Sequence, residues 1–71
     1  MPKGKVREYD PTQGYGVIID SDTGQQLIVY ANYINLKKGE TLKKGQEVAF
    51  EIENKRSENW AVNVRDLIEQ S

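Results

Sequence analysis

Gln13-Gly14-Tyr15-Gly16-Val17-Ile18, followed further along by Leu27-Ile28-Val29-Tyr30, decides how this chain folds. Both are short runs in which apolar and aromatic residues recur with the two-residue period of a strand. Strand geometry sends successive side chains to opposite faces. If Ile18 faces a core, Tyr15 and Val17 fall on the outer face together with Ile19. In the second run Leu27 and Val29 share one face, and Ile28 and Tyr30 share the other. Laid side by side, the two runs bury one face and offer another that carries Tyr15, Val17, Ile28 and Tyr30. That outer face is unusually apolar for a surface in water, and its rings suit flat ligands such as nucleobases.

The rest of the chain extends this pattern. Gly4 to Tyr9 reads as a first strand with Val6 as its core contact, stopped at Asp10-Pro11, where proline cannot donate to a ladder. Tyr15 to Asp20 is the second strand, entered through a Gln13-Gly14 turn. Asp20-Ser21-Asp22-Thr23-Gly24 has strong turn chemistry, and Gln26 to Ala31 is the third strand. Asn32-Tyr33-Ile34-Asn35 is expected as a tight helical turn or short connector, with Tyr33 as a packing residue, ahead of an exposed lysine-rich loop. Gln46 to Glu53 alternates Val48, Phe50 and Ile52 with Glu47, Ala49, Glu51 and Glu53, which predicts one buried face. Asn54 to Asn59 reads as a polar loop. Trp60 to Arg65 is the last strand, with Val62 and Val64 inward, and Asp66-Leu67-Ile68-Glu69 adds a terminal turn whose aliphatics pack back. Residues 1–71 therefore read as one all-β domain, a five-stranded antiparallel Greek-key barrel that closes most of its edges.

Composition narrows the chemistry. Seventy-one residues with 37% apolar content support one small core and no deep catalytic cleft. There is no cysteine and no histidine, which removes disulfides, thiol nucleophiles, imidazole bases and the usual zinc ligands together. No spacing brings carboxylates or lysines into an acid/base pair, so the chain reads as a non-enzyme without a cofactor. Asp20-x-Asp22-x-Gly24 opens like a calcium loop, but the glycine comes one position early and Ala31 stands where the acidic twelfth ligand belongs. A plain β-turn, and no metal, is the expectation. No apolar run is long enough for a membrane span, the N-terminus lacks the apolar stretch of a secretory signal, and a cytoplasmic setting is expected.

Ten Lys/Arg against eleven Asp/Glu leave a net charge of −1, so charge distribution matters more than the sum. Lys3, Lys5 and Arg7 occupy the first segment, and Lys37, Lys38, Lys43 and Lys44 surround Gly39-Glu40. Glu51, Glu53, Glu58, Asp66 and Glu69 lie elsewhere. Two basic patches on a nearly neutral molecule predict weak, salt-sensitive attraction to a polyanion.

Six segments complete the reading: Gly4-Lys5-Val6-Arg7, Gln13 to Ile18, Leu27 to Tyr30, Thr41-Leu42-Lys43-Lys44-Gly45-Gln46-Glu47-Val48, Phe50-Glu51 and Ala61-Val62-Asn63-Val64. Their order and spacing resemble those of bacterial cold-shock proteins, as a divergent member of the cold-shock domain family. The resemblance covers essentially the whole chain and implies an OB-fold barrel. It further implies binding of single-stranded RNA or DNA, with unpaired bases stacked on exposed aromatics, basic residues neutralising phosphates, and an RNA-chaperone role. Carried onto this sequence, it designates Lys5, Arg7, Tyr9, Tyr15, Val17, Ile28 and Tyr30. Trp60 joins them although it is not at a usual family aromatic position, because it starts the last strand beside the expected face. Lys37, Lys38, Lys55 and Arg56 are further phosphate candidates.

The departures from the family pattern are specific. Glu8 stands where a tryptophan is usual, Gln13 where a lysine is, and Val17 where an aromatic is. Ile28, Tyr30 and Ala31 replace an aromatic, a histidine and another aromatic, and Gly39 replaces a loop aromatic. Losing three or four platforms at about 1 to 2 kcal/mol each predicts weak, largely sequence-nonspecific binding. A second reading follows from the same changes: the Val17 and Ile28 patch receives a protein partner or forms a homodimer, in a degenerate barrel with little nucleic-acid binding.

Overall fold

Val6, Ile18, Leu27, Val29, Val48, Phe50 and Val64, the apolar phase of successive extended segments, turn into a single interior. The computed structural model describes residues 2–67. It contains β1 (Lys3–Asp10), β2 (Tyr15–Asp20), β3 (Gln26–Tyr30), β4 (Glu47–Lys55) and β5 (Glu58–Asp66), with a 3-10 turn at Ala31–Tyr33. The strands close into a barrel in the order β1-β2-β3-β5-β4, and β4 returns to β1 through Lys3–Ala49, Gly4–Val48 and Lys5–Glu47. Closure pairs the strand edges that an open sheet would expose.

The expected five-stranded barrel is present, antiparallel at every seam but one. The long connection after β3 carries the chain across to β4, so β5 meets β3 running the same way, through Ile28–Trp60 and Val29–Ala61. That connection is more than an exposed loop. Its lysines are exposed, but Leu42 is buried, and Ile34 and Leu36 pack against the core cluster.

Two bulges shift the simple alternation. On β1, Val6 pairs with Ile18 but Glu8 pairs with Val17, so Arg7 is the extra residue, and Arg7 and Glu8 are both exposed. On β5, Ala49 pairs with Arg65 while Glu51 pairs with Val62. The extra residue there accompanies Asn63, whose φ of 52° is left-handed, a conformation asparagine tolerates better than most. Val62 and Val64 are both buried, as expected, and the bulge lets Ala61 join Val64 in the core cluster as well.

Ile52 is a correction. It continues the inward phase of Val48 and Phe50 yet is 40% exposed. The last β4 residue paired with β1 is Ala49, so beyond it the wall opens and an inward-phased side chain reaches water. The polar loop expected over Asn54 to Asn59 is another. Asn54 pairs with Asn59 and Lys55 with Glu58, leaving a two-residue hairpin turn at Arg56 and Ser57, with φ of 52° and 68°. Polar residues extend the ladder there because backbone pairing needs no buried side chain. Elsewhere β3 ends at Tyr30, one residue short of expectation, and Ala31 opens the 3-10 turn. Of the expected terminal turn, Ile68 and Glu69 lie outside the described residues.

Gly16 fixes how closely β1 and β2 approach. A Cβ at that position would collide with the Glu8 carbonyl and come within 2.8 Å of the Tyr9 Cα and ring. The absent side chain lets Tyr9 lie across from it and pack on the core.

Candidate nucleic-acid interface

The outward residues of β2, β3 and β5 form rows across the strands. Tyr15 pairs with Tyr30 and Val17 with Ile28, and Ile28 pairs in turn with Trp60. Glu8 lies beyond Val17, and Glu53 lies beyond Trp60. The central row therefore has an apolar middle, Val17 and Ile28, and a carboxylate at each end.

Above that row the rings form a continuous series. Tyr15 and Tyr30 have centroids 6.4 Å apart at 58°. Tyr30 and Trp60 are 4.7 Å apart at 45°, and Tyr33 meets Trp60 edge-on at 5.9 Å and 68°. These tilted contacts are the ones ring quadrupoles favour, so the rings hold one another in place. Tyr15, at 50% exposure, is the most open of them, while Tyr30, Tyr33 and Trp60 are half-buried. A shallow depression of about 490 Å³ lies between the Gln13-Gly14 turn and Tyr30, Tyr33 and Trp60.

The β4–β5 hairpin adds a cation to this corner. Lys55 Nζ lies 5.3 Å from the Tyr33 centroid and 5.4 Å from that of Trp60, within cation–π range. It donates to the Tyr33 hydroxyl at 3.4 Å and lies 3.6 Å from Glu53 Oε1. The hydrogen bond to Tyr33 is the main cause holding the ammonium above its ordinary 10.5, with the Glu53 carboxylate adding to it. Trp60 Nε1 in turn donates to Glu58 Oε1 at 3.4 Å.

The β1 side is different. Arg7 and Lys5 are exposed, but Arg7 Nη1 donates to Gln26 Oε1 at 2.8 Å, and Lys5 pairs with Ile19, at the far end of β2 from Tyr15. The structure thus brings Tyr15, Val17, Ile28, Tyr30 and Trp60 onto one face and leaves Lys5 and Arg7 along its β1 edge. Tyr9 is half-buried: it packs against the core cluster and lines a small depression with Glu8, Asp10, Tyr15 and Gly16. Lys43 and Lys44 belong to a separate depression of about 410 Å³, beside Leu36 and Asp66.

Tyr33, expected as a packing residue, packs against Trp60, a contact its sequence position does not announce. The signal was faint: a 3-10 turn after β3 swings Tyr33 back over β5, and only the β3–β5 register puts Trp60 beneath it. The Asp20 segment is a turn, as expected. The nearly buried Asp20 carboxylate accepts from the Asp22 and Thr23 amides at 2.7 and 3.3 Å. Among the described residues, no group of His, Cys, Asp or Glu could hold a metal ion, and no helix is long and apolar enough to cross a membrane.

A closed five-stranded barrel with open rings across β2, β3 and β5 defines a small OB-type barrel. Its family follows from comparison. The profile of the 'Cold-shock' DNA-binding domain matches residues 2–67, and the chain belongs to that family. It is 36% identical over 62 residues to the cold shock-like protein CspA of Rickettsia typhi, covering 87% of this chain and 89% of that protein. With the cold shock-like protein of Thermotoga maritima it shares 36% over 63 residues, covering 89% and 94%. Among solved structures, drosophila Unr CSD456 superposes with a TM-score of 0.78 at 17% identity, covering 99% of this chain and 28% of that one. That likeness is one of fold.

Proposed function

We propose that this protein binds single-stranded RNA or DNA on the outer face of β2, β3 and β5. The observation that carries the reading is the uninterrupted ring series from Tyr15 through Tyr30 to Trp60, set on a cold-shock barrel. Aromatic faces accept any base at about 1 to 3 kcal/mol each, so the interaction is largely indifferent to sequence. Val17 and Ile28 add apolar contact beneath the bases. Lys5 and Arg7 contribute charge along the β1 edge, while Glu8 at one end of the central row repels phosphate and keeps affinity low.

Binding that captures unpaired bases disfavours RNA secondary structure, which is the basis of a chaperone role in the cytoplasm. Family membership supports binding rather than catalysis. The apolar middle of the face also fits a second copy of the chain, but flanking rings and cations favour the nucleic-acid reading.

Titration of labelled oligothymidine and oligouridine at low and moderate salt tests the proposal. Micromolar binding that weakens as salt rises supports it. No binding at high micromolar protein in low salt, together with concentration-dependent self-association in light scattering, would favour the interaction-module reading.

A further inference from the structure

The ring series needs a phosphate partner, and geometry separates the available cations. Lys5 pairs across to Ile19, four residues along β2 from Tyr15, which at ~3.3 Å per residue is roughly 13 Å away. Arg7 donates one of its five N–H groups to Gln26 and lies on β1, across the face from Trp60. Lys55 sits at the opposite end of the series, against the edge formed by Trp60 and Tyr33.

We propose that Tyr33, Trp60 and Lys55 form a nucleotide subsite carried by the β4–β5 hairpin, in which a base rests on the Tyr30–Trp60 end of the ring series and Lys55 pairs its phosphate. The proposal rests on the nucleic-acid reading of this face and names a part of it that the family pattern does not designate. Three features support it. The depression bounded by Gln13, Tyr30, Tyr33 and Trp60 gives a base room to enter, and Lys55 lies against the same two rings, Tyr33 and Trp60. An ammonium carries three donors; one is directed to the Tyr33 hydroxyl and one faces Glu53, which leaves a third for an incoming phosphate oxygen. The two rings and the hydroxyl also hold the lysine in one region before ligand arrives, which reduces the entropy lost on binding.

Both ends of the central row carry a carboxylate, Glu8 on β1 and Glu53 on β4, but only at the Glu53 end does a lysine face the carboxylate with Trp60 and Tyr33 beside it. The binding track is displaced from β1 toward the β4–β5 hairpin.

The test measures affinity of a short labelled oligothymidylate against salt for wild type, Lys55→Gln, Lys55→Arg, Lys44→Gln and Tyr30→Ala. A wild type that does not bind overturns both the general reading and this subsite. If wild type binds and Tyr30→Ala weakens it, the face is established and the subsite is tested separately. The expected result is a several-fold loss in Lys55→Gln with a salt slope shallower by about 0.7, the value for one phosphate contact on a single strand. Lys55→Arg keeps the slope, and Lys44→Gln behaves as wild type. Unchanged affinity in Lys55→Gln overturns the subsite. So does a loss with an unchanged slope, because that outcome makes Lys55 a support for the rings rather than a phosphate ligand.

Discussion

The two flanks of the outer face use the same barrel to opposite ends. On the β5 flank, Tyr30, Trp60 and Tyr33 touch one another and Lys55 lies against them. On the β1 flank, a bulge turns Arg7 and Glu8 outward together, and Arg7 Nη1 donates to Gln26 rather than meeting a ring. Each flank holds a carboxylate and a hydrogen-bonded cation, but only the β5 flank sets its cation against rings. A stacking surface can therefore keep its fold while the side that does most of the binding changes.

The comparison collapses most completely if the two flanks cannot come together. Gly16 governs that approach, because a side chain there runs into the Glu8 carbonyl and Tyr9. Gly16→Val is expected to destabilise the barrel by about 3 kcal/mol through overpacking against backbone, read as a lowered denaturation midpoint. A fully stable Gly16→Val would mean that β1 can move away freely.

Within an intact barrel, Tyr30→Ala removes the ring that links Tyr15 to Trp60. Oligonucleotide affinity should fall by roughly tenfold or more, as expected for about 1.5 kcal/mol of lost stacking, whereas Tyr9→Ala should affect stability more than affinity. The opposite ranking would move the interface to the β1 end.

Glu8→Gln sharpens the contrast from the other side. Removing a charge that repels phosphate should raise affinity several-fold, on the order of 1 kcal/mol, with the gain shrinking at high salt. An unchanged affinity in calorimetry would put Glu8 outside the reach of the bound strand.

Ser57→Gly relaxes one of two left-handed residues in the turn that carries Lys55. Thermal stability should rise by about 0.5 to 1 kcal/mol, with binding retained. The smallest effect belongs to pH. There is no histidine, and the Tyr33 hydrogen bond holds Lys55 above 10.5. A lysine with a raised folded value contributes fully below its unfolded value and loses that contribution only as pH climbs through the folded one. Affinity should therefore be flat between about pH 6 and 9; a sharp change in that window would mean that a group other than Lys55 controls binding.

How much of this was legible depended on range in sequence. Turn chemistry at Gln13-Gly14 and at Asp20 to Gly24, together with strict alternation in Leu27 to Tyr30, was enough to read the strands and the barrel, because both signals are local. The outer placement of Tyr15, Val17, Ile28 and Tyr30 followed from the same period. Ile52 was misread because alternation records phase and not where a wall ends. The inward placement of Ala61 beside Val62 and Val64 is not legible in strict alternation, because a single bulge at Asn63 resets the phase. Tyr33, Trp60 and Lys55 come from three separate segments, and their meeting depends on the parallel β3–β5 seam and on a hairpin whose polar sequence resembled a loop.

Single strands are expected to lie on the ring series and to favour its β5 end. In an amide-resolved NMR titration of the labelled protein with oligothymidylate, the largest shifts should fall at Tyr15, Ile28, Tyr30, Tyr33, Lys55 and Trp60, with weaker ones at Lys5 and Arg7. Shifts centred on Lys43 to Gln46, or dominated by the Lys5 to Glu8 segment while Trp60 stays still, would contradict that placement.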